Sequence, residues 1–359
     1  MRVTLWDEKI DFSKYENLFA DKTVLITGGT GSFGKAFAKV VLTHYRVRKL
    51  IIYSRDELKQ FDMSNDPFFR EHQNKVRFFI GDVRDKERVH RALTGVDYVI
   101  HAAALKQVPS CEYNPFEAIK TNVLGAENII NEAIDSGVKK VLALSTDKAA
   151  NPINLYGATK LCSDKLFIAG NAYSKGDEQG ERATKFAVVR YGNVVGSRGS
   201  VIPFFKEQAK NGVLPITDER MTRFMITLKQ GVYLVIRSLE LMHGGELFIP
   251  KIPSIRITDL AKVIAPKVRT EVIGIRPGEK LHEVLLPKDE AQNAFEFDSM
   301  YVIEPNLHWW NKGVYKKGKR LPEGFEYNSE NNERFLSESE IAALVNESDA
   351  EEAYSKSSV

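Results

Sequence analysis

The feature that most constrains this chain is a glycine-rich turn, Thr27-Gly28-Gly29-Thr30-Gly31-Ser32-Phe33-Gly34, that follows an apolar run and opens a helical pattern. Glycines 28, 31 and 34 leave bare backbone where the helix begins. A helix N-terminus points unpartnered N–H groups outward, and a pyrophosphate reaches them only where no side chain intervenes. A glycine motif alone is weak evidence, but behind the first strand of an alternating chain it is strong. The run before it, Lys22–Thr27, is followed by others at Leu50–Ser54, Val76–Ile80, Tyr98–Ala102, Lys140–Ser145 and Phe186–Arg190. Longer stretches with helical spacing, such as Phe116–Ser136, separate them. Continuous rather than alternating apolar runs mark strands covered on both faces. The pattern predicts an α/β fold, a Rossmann-like doubly wound parallel sheet.

After Arg190 the rhythm breaks and Gly and Pro punctuate the chain. The expected division is an N-terminal extension (1–20), a dinucleotide-binding domain (21–192) with 227–250 packing back on it, a smaller lobe (193–226 and 251–345) over the carboxyl ends of the strands, and a polar, frayed tail (346–359). A chain of 359 residues can bury such a core. Its 51 Lys plus Arg against 48 Asp plus Glu leave a net charge of +3, too little excess for a sequence-independent nucleic-acid binder. The two cysteines do not make a disulfide framework. The first twenty residues carry charges throughout, and no stretch offers ~18 uninterrupted apolar residues. A cytoplasmic protein with no membrane segment is expected.

An acidic residue about 20 positions past the glycines normally binds the ribose diol of NAD. Here that place holds Ser54, followed by Arg55, with Lys59 one turn on. A hydroxyl and two cations suit a 2′-phosphate, so NADP is expected over NAD, with Asp56 as the counter-argument. Asp82, beside Val83 at the end of the third strand, is placed for an adenine amino group or for a helix N-cap. Ala102 and Ala103 end the fourth strand and let a cofactor lie against backbone. Lys106 reaches either cofactor or substrate phosphate, and Asn122 sits on a helix passing beneath, near the cofactor or facing solvent.

Tyr156-Gly157-Ala158-Thr159-Lys160 is a YxxxK pair, whose spacing puts phenol and ammonium on one helical face. The ammonium favours a phenolate, below the usual value of about 10. A phenolate takes a proton from a hydroxyl while hydride leaves the same carbon.

With these motifs the chain resembles the extended short-chain dehydrogenases/reductases, and within them the inverting UDP-N-acetylglucosamine 4,6-dehydratases of the pseudaminic-acid type. The resemblance spans about 20–345 and rests on TGGTGSFGK, YSRDELKQ, FIGDVRD, HAAALKQVP, LSTDKAANPINLYGATK, RYGNVVGSRGS, PITDERMTRF and GIRPGEKLHE. It implies a hydro-lyase that keeps its NADP bound and recycles it. Retaining relatives carry an Asp-Glu pair where this chain has Asp147-Lys148. The implied sequence starts with Tyr156 removing the O4 proton as hydride leaves C4. Lys148 then removes H5, Asp147 protonates O6, and water leaves. Hydride returns to C6 and C5 is reprotonated, with inversion if the proton arrives on the opposite face. Thr146, or Ser145, orients the ketone oxygen. Lys148 must be neutral for this, which desolvation and a cationic nicotinamide favour. The implied partners are UDP-N-acetylglucosamine and a second copy of the chain, paired through helices at about 116–136 and 156–172. Surface-glycan synthesis is the implied setting.

On the substrate side, Asn193, Arg198 and Val201 follow the sixth strand, Asn193 suiting a diphosphate, a sugar or an Asx-turn. Arg223 and Arg276 are candidate pyrophosphate cations, because a planar guanidinium fork matches phosphate oxygens. Glu279 suits a ribose diol. His282, beside Glu283, reads as packed. No His/Cys/Asp/Glu spacing suggests a metal. Two other readings stand: a UDP-N-acetylhexosamine 4-epimerase, which needs no Asp147-Lys148 pair, and a non-catalytic NADP-binding regulator, which has no need of the tyrosine or lysine.

Overall fold

The computed structural model describes residues 4–174, 183–196, 201–307 and 314–357. Its first half follows the alternating pattern: β1 (Thr23–Thr27), α1 (Ser32–His44), β2 (Lys49–Ser54), α2 (Glu57–Asn65), β3 (Val76–Ile80), α3 (Lys86–Leu93) and β4 (Tyr98–His101). Then come α4 (Gly125–Asp135), β5 (Lys140–Thr146), α5 (Leu155–Tyr173) and β6 (Lys185–Tyr191). The fold adds α6 (Leu228–Leu241), β7 (Leu247–Pro250), β8 (Ala294–Glu296), β9 (Met300–Ile303) and β10 (Lys319–Arg320).

The main sheet runs β10-β8-β9-β7-β6-β5-β4-β1-β2-β3. From β7 to β3 every pairing is parallel. The order reverses beside β1, opening a crevice at the carboxyl ends of β1 and β4, the place where open α/β sheets bind ligands. Helices α1 and α6 pack together on one face, α3, α4 and α5 on the other. All five residues of β1 are buried, as a doubly covered strand requires.

The structure refines the expected division of the chain. The pattern assigns 251–345 to the small lobe, but β8, β9 and β10 extend the main sheet as an antiparallel edge. Their runs are too short to show a period before pairing. The extension is part of the fold: Leu5, Phe12 and Phe19 are buried in the main core, while Trp6 packs on the core of the small lobe. The polar tail is mostly helical. A helix spans Glu338–Ser357, and Ile341, Leu344 and Val345 bury themselves in the lobe's core.

The expected helix Phe116–Ser136 is a run of three pieces, Pro115–Ile119, a π turn at Lys120–Leu124, and α4. The small lobe holds the parallel pair Val213–Ile216 and Arg269–Val272, and a strand, Thr222–Ile226, that pairs with Asn193–Val194 and Ser254–Arg256.

Candidate active site

One cleft of about 1160 Å³ lies between the strand ends and the small lobe. Single small-molecule sites run to about 1000 Å³, so this one has room for two ligands side by side. At one end is the glycine loop. An added Cβ at Gly34 would stand 2.4 Å from the Gly29 carbonyl oxygen, so only glycine lets α1 start this close to β1. Gly31 caps α1 without a side-chain hydrogen bond, and its first turn holds no acid. Those N–H groups remain open to an anion, and a dinucleotide diphosphate fits them. Thr30 and Ser32–Gly34 line the same end.

Past the loop, the Ser54 hydroxyl meets Thr30 Oγ1 at 2.8 Å. Asp56 caps α2, accepting from Lys59 N at 3.0 Å, and also pairs with Lys59 Nζ. Arg55 stays half exposed, 3.8 Å from Asp82. Asp82, expected to meet adenine, is held by Arg84 through Nε and NH2. Val83, Ala102, Ala103 and Lys106 line the cleft. Asn122, expected at the cofactor, does not. The π turn aims it inward, where it accepts from Leu105 N at 2.8 Å and donates to Thr159 Oγ1 at 3.0 Å. It fixes the backbone of the loop after β4.

Beneath that loop the Thr27 hydroxyl accepts from Ala102 N and Ala103 N, both at 3.1 Å. Its own proton therefore goes to His101 Nδ1, 3.0 Å away. Burial pushes this imidazole down to about 3, so it stays neutral.

Tyr156 and Lys160 enter on α5. Asn154 caps the helix, accepting from Gly157 N at 2.8 Å and donating to Gly278 O of the small lobe at 2.7 Å. A Cβ at Gly157 would lie 2.1 Å from the Lys148 carbonyl oxygen, so this glycine lets the helix press against the turn Asp147–Ala149. The electrostatics differ from expectation. Burial pushes the Tyr156 phenol up to about 12, and the cation opposing that is Lys148, aided by the Thr146 hydroxyl. Lys160 is itself drawn down by burial, with Asp164 pulling the other way. Asp164 accepts from Ser145 Oγ at 2.7 Å and lies 3.6 Å from the fully buried Arg190, which also pairs with Glu290 at 2.6 Å. The Ser145 proton is thereby committed to Asp164 and is not offered to a ketone oxygen.

Asp147 is 1% exposed and receives the Lys148 ammonium at 3.0 Å. Thr146, expected to orient a ketone, donates to the same Asp147 oxygen at 2.9 Å. Glu283, which the sequence pattern left unassigned, lies 3.4 Å from Lys148 and is 2% exposed. Burial alone would lower the Lys148 pKa, but Asp147 and Glu283 outweigh it and raise it. Lys148 is thus held as an ammonium by these two carboxylates, whereas proton removal needs the neutral amine. Nothing in the spacing of HEVLLP announces that this glutamate returns to Lys148. Its only signal is a carboxylate inside GIRPGEKLHE.

Arg223, expected to grip pyrophosphate, does not offer a free fork. It donates to Thr222 O, Leu281 O and Lys280 O at 2.7 to 3.0 Å and is 7% exposed. Arg276 and Glu279 line the mouth and pair with each other. Asn193 and Val201 line the wall, while Arg198 lies outside the described residues. Buried polar atoms without a hydrogen-bond partner collect here: Asp147 Oδ2, Glu283 Oε2, Asn193 Oδ1, Glu279 Oε2 and Thr121 Oγ1. Such orphans are costly unless a ligand meets them. Among the described residues no cluster of three His, Cys, Asp or Glu could hold a metal, and no helix is long and apolar enough to cross a membrane.

A glycine loop, a YxxxK helix and a doubly wound sheet sharing one cleft define an extended short-chain dehydrogenase/reductase. The chain belongs to the polysaccharide biosynthesis protein family, whose model matches residues 24–305. It is 53% identical over 341 residues to the inverting UDP-N-acetylglucosamine 4,6-dehydratase of Campylobacter jejuni subsp. jejuni serotype O:2, covering 92% of this chain and 98% of that one. To a UDP-glucose 4-epimerase of Rickettsia bellii it is 42% identical over 342 residues, covering 92% and 97%. The solved structure of Pen from Bacillus thuringiensis matches with a TM-score of 0.82 at 40% identity, over 92% of this chain and 98% of Pen.

Proposed function

We propose that this chain is an inverting UDP-N-acetylglucosamine 4,6-dehydratase, a hydro-lyase working with a retained NADP. The observation that carries the reading is the ion pair between buried Asp147 and the partly exposed Lys148, 3.0 Å apart and beside Tyr156 in the shared cleft. An epimerase moves only one hydride at C4 and has no work for this pair. The 53% identity to the Campylobacter dehydratase exceeds that to the Rickettsia epimerase.

The glycine loop, Ser54 and Arg55 would hold the cofactor. NADP is favoured over NAD because Arg55 is half exposed at the cleft, while the Asp56 carboxylate already caps α2 and pairs with Lys59. When bound, the nicotinamide would accept the C4 hydride and, after water has left, return it to C6; the enolate so formed would take a solvent-exchangeable proton at C5, on the face opposite the one that lost H5. Tyr156 takes the O4 proton. The ketone formed at C4 acidifies H5, which neutral Lys148 removes, while Asp147 gives its proton to O6 and water leaves. The resting ion pair becomes this acid and base by moving one proton, from Lys148 Nζ to Asp147, with no change in net charge. Elimination then regenerates the ammonium and the carboxylate. Asn193 and Glu279 offer the sugar nucleotide unsatisfied oxygens.

We further propose a cytoplasmic homo-oligomer supplying a surface-glycan route of the pseudaminic-acid kind. The pairing is supported by Tyr113 and Phe116, 88% and 76% exposed beside the π turn. The test of function is incubation with UDP-N-acetylglucosamine and no added cofactor, read by product mass and proton NMR. Loss of one water with a new C6 methyl supports the dehydratase. A C4 epimer of unchanged mass overturns it in favour of an epimerase, and no turnover favours a regulator.

A further inference from the structure

The mechanism above uses Asp147 and Lys148, yet the buried cluster around them has more members, and two come from the small lobe. Glu283 Oε1 lies 3.4 Å from Lys148 Nζ and 3.9 Å from Arg223 Nε. Glu283 is 2% exposed, its backbone N–H donates to Ser329 Oγ at 2.9 Å, and its other oxygen is buried without a partner. Arg223 is clamped by three backbone carbonyls and cannot turn away. We propose that Glu283 is a positioning residue of the elimination: it holds the Lys148 amine at the reacting end of the cleft and shields it from the Arg223 charge. The inference rests on the dehydratase reading.

The argument is one of charge. Lys148 faces Asp147 on its own turn, Glu283 and Arg223 from the lobe, Tyr156 on α5, and Lys280, whose Nζ donates to Ala150 O at 2.5 Å. The carboxylates of Asp147 and Glu283 face the cations of Lys148, Arg223 and Lys280. Removing the Glu283 charge leaves Arg223 and Lys280 acting on the pair without compensation. Both members then hold their protons less tightly, since nearby cations favour the carboxylate and disfavour the ammonium. The working pair holds one proton in total. It fails on the acid side when a second is bound and on the alkaline side when that one is lost. Both limbs of the pH–rate profile therefore move to lower pH when Glu283 is neutral.

The experiment measures the pH dependence of UDP-N-acetylglucosamine dehydration by the full chain, for wild type, Glu283→Gln and Glu283→Asp. Thermal midpoints and NADP binding serve as folding checks. Glu283→Gln should move both limbs acidward by about 1–3 units, the range set by one charge at 4–6 Å. Glu283→Asp should move them the same way by less, because its shorter arm weakens rather than removes the contact. If the Gln variant does not fold, the Asp variant decides. Limbs that stay in place in a folded variant, whatever its rate, overturn the proposal and leave Glu283 a packing residue. A wild type that forms no dehydrated product instead overturns the dehydratase reading, and this inference with it.

Discussion

Lys148 is held as an ammonium by two carboxylates, and Tyr156 as a phenol by burial, so neither is by itself the base that the reaction needs. Ligand binding must supply what frees them, and a cationic ring beside both groups would do so. The protonation of Tyr156 is testable. With its pKa pushed up from about 10 to about 12, ligand-free protein should gain no phenolate absorbance from Tyr156 below about pH 10, read as wild type minus Tyr156→Phe. A phenolate already present near neutrality would contradict this. Lys148→Ala should lower water loss at least ~10²–10⁴-fold, the usual worth of a general base, so that no product is detected within the time wild type needs to consume its substrate, while calorimetry finds NADP binding nearly unchanged. Arg55→Ala should weaken NADP about tenfold or more and leave NAD binding unaltered, as expected for one charge-assisted hydrogen bond to a phosphate. Equal losses for both nucleotides would remove the case for a 2′-phosphate contact. At this scale the sequence exposed what is local. Tyr156, Lys160 and the Asp147-Lys148 pair sit in short motifs, and the structure brings them together. Glu283 was hidden because its meeting with Lys148 depends on the lobe folding over the sheet. Arg223 and Asn122 were misjudged because a residue type cannot reveal that its hydrogen bonds are already taken by backbone.

Elements explain why these side chains converge. The turn Asp147–Ala149 and the first turn of α5 touch at Gly157, where a Cβ would meet the Lys148 carbonyl oxygen at 2.1 Å. Gly157→Ala must therefore displace the turn that carries the acid and base. The expected cost is about 1–3 kcal/mol of stability by overpacking, with dehydration falling far more than NADP binding. Equal dehydration rates in the variant and wild type would show that the contact is not needed. The inner strands of the parallel sheet were legible because both their faces are covered, so each reads as an unbroken apolar run; β3, at the edge with Arg77 and Ile80 exposed, was legible from its β-branched and aromatic residues. The π turn at Lys120–Leu124 left no mark on the periodicity, since one inserted residue shifts the helical phase only locally. The antiparallel edge of β8, β9 and β10 was illegible because pairing in register, rather than composition, makes short strands.

Across the whole molecule, the N-terminal segment ties the two lobes together. Leu5 N donates to Lys251 O at 2.8 Å, Tyr45 donates to Phe12 O at 3.0 Å, and Arg334 reaches Asp7 at 3.5 Å. Nothing in its charged sequence announces this, because its apolar residues are scattered among polar ones and pack against partners distant in the chain. Removing residues 1–20 gives up roughly 1.5–3 kcal/mol for each of the buried Leu5, Phe12 and Phe19. A truncated chain should melt at clearly lower temperature, and an unchanged midpoint would contradict the packing. The two-lobe arrangement also closes the cleft over the Lys148 cluster, so the chemistry belongs to the assembled molecule. The most direct measurement is deuterium at C5 of the hexose after turnover of UDP-N-acetylglucosamine in deuterated water, comparing wild type with Lys148→Ala. The account predicts a dehydrated product labelled at C5 for wild type, and neither water loss nor C5 label for the variant. A variant that still labels C5 and expels water would show that another group removes the proton.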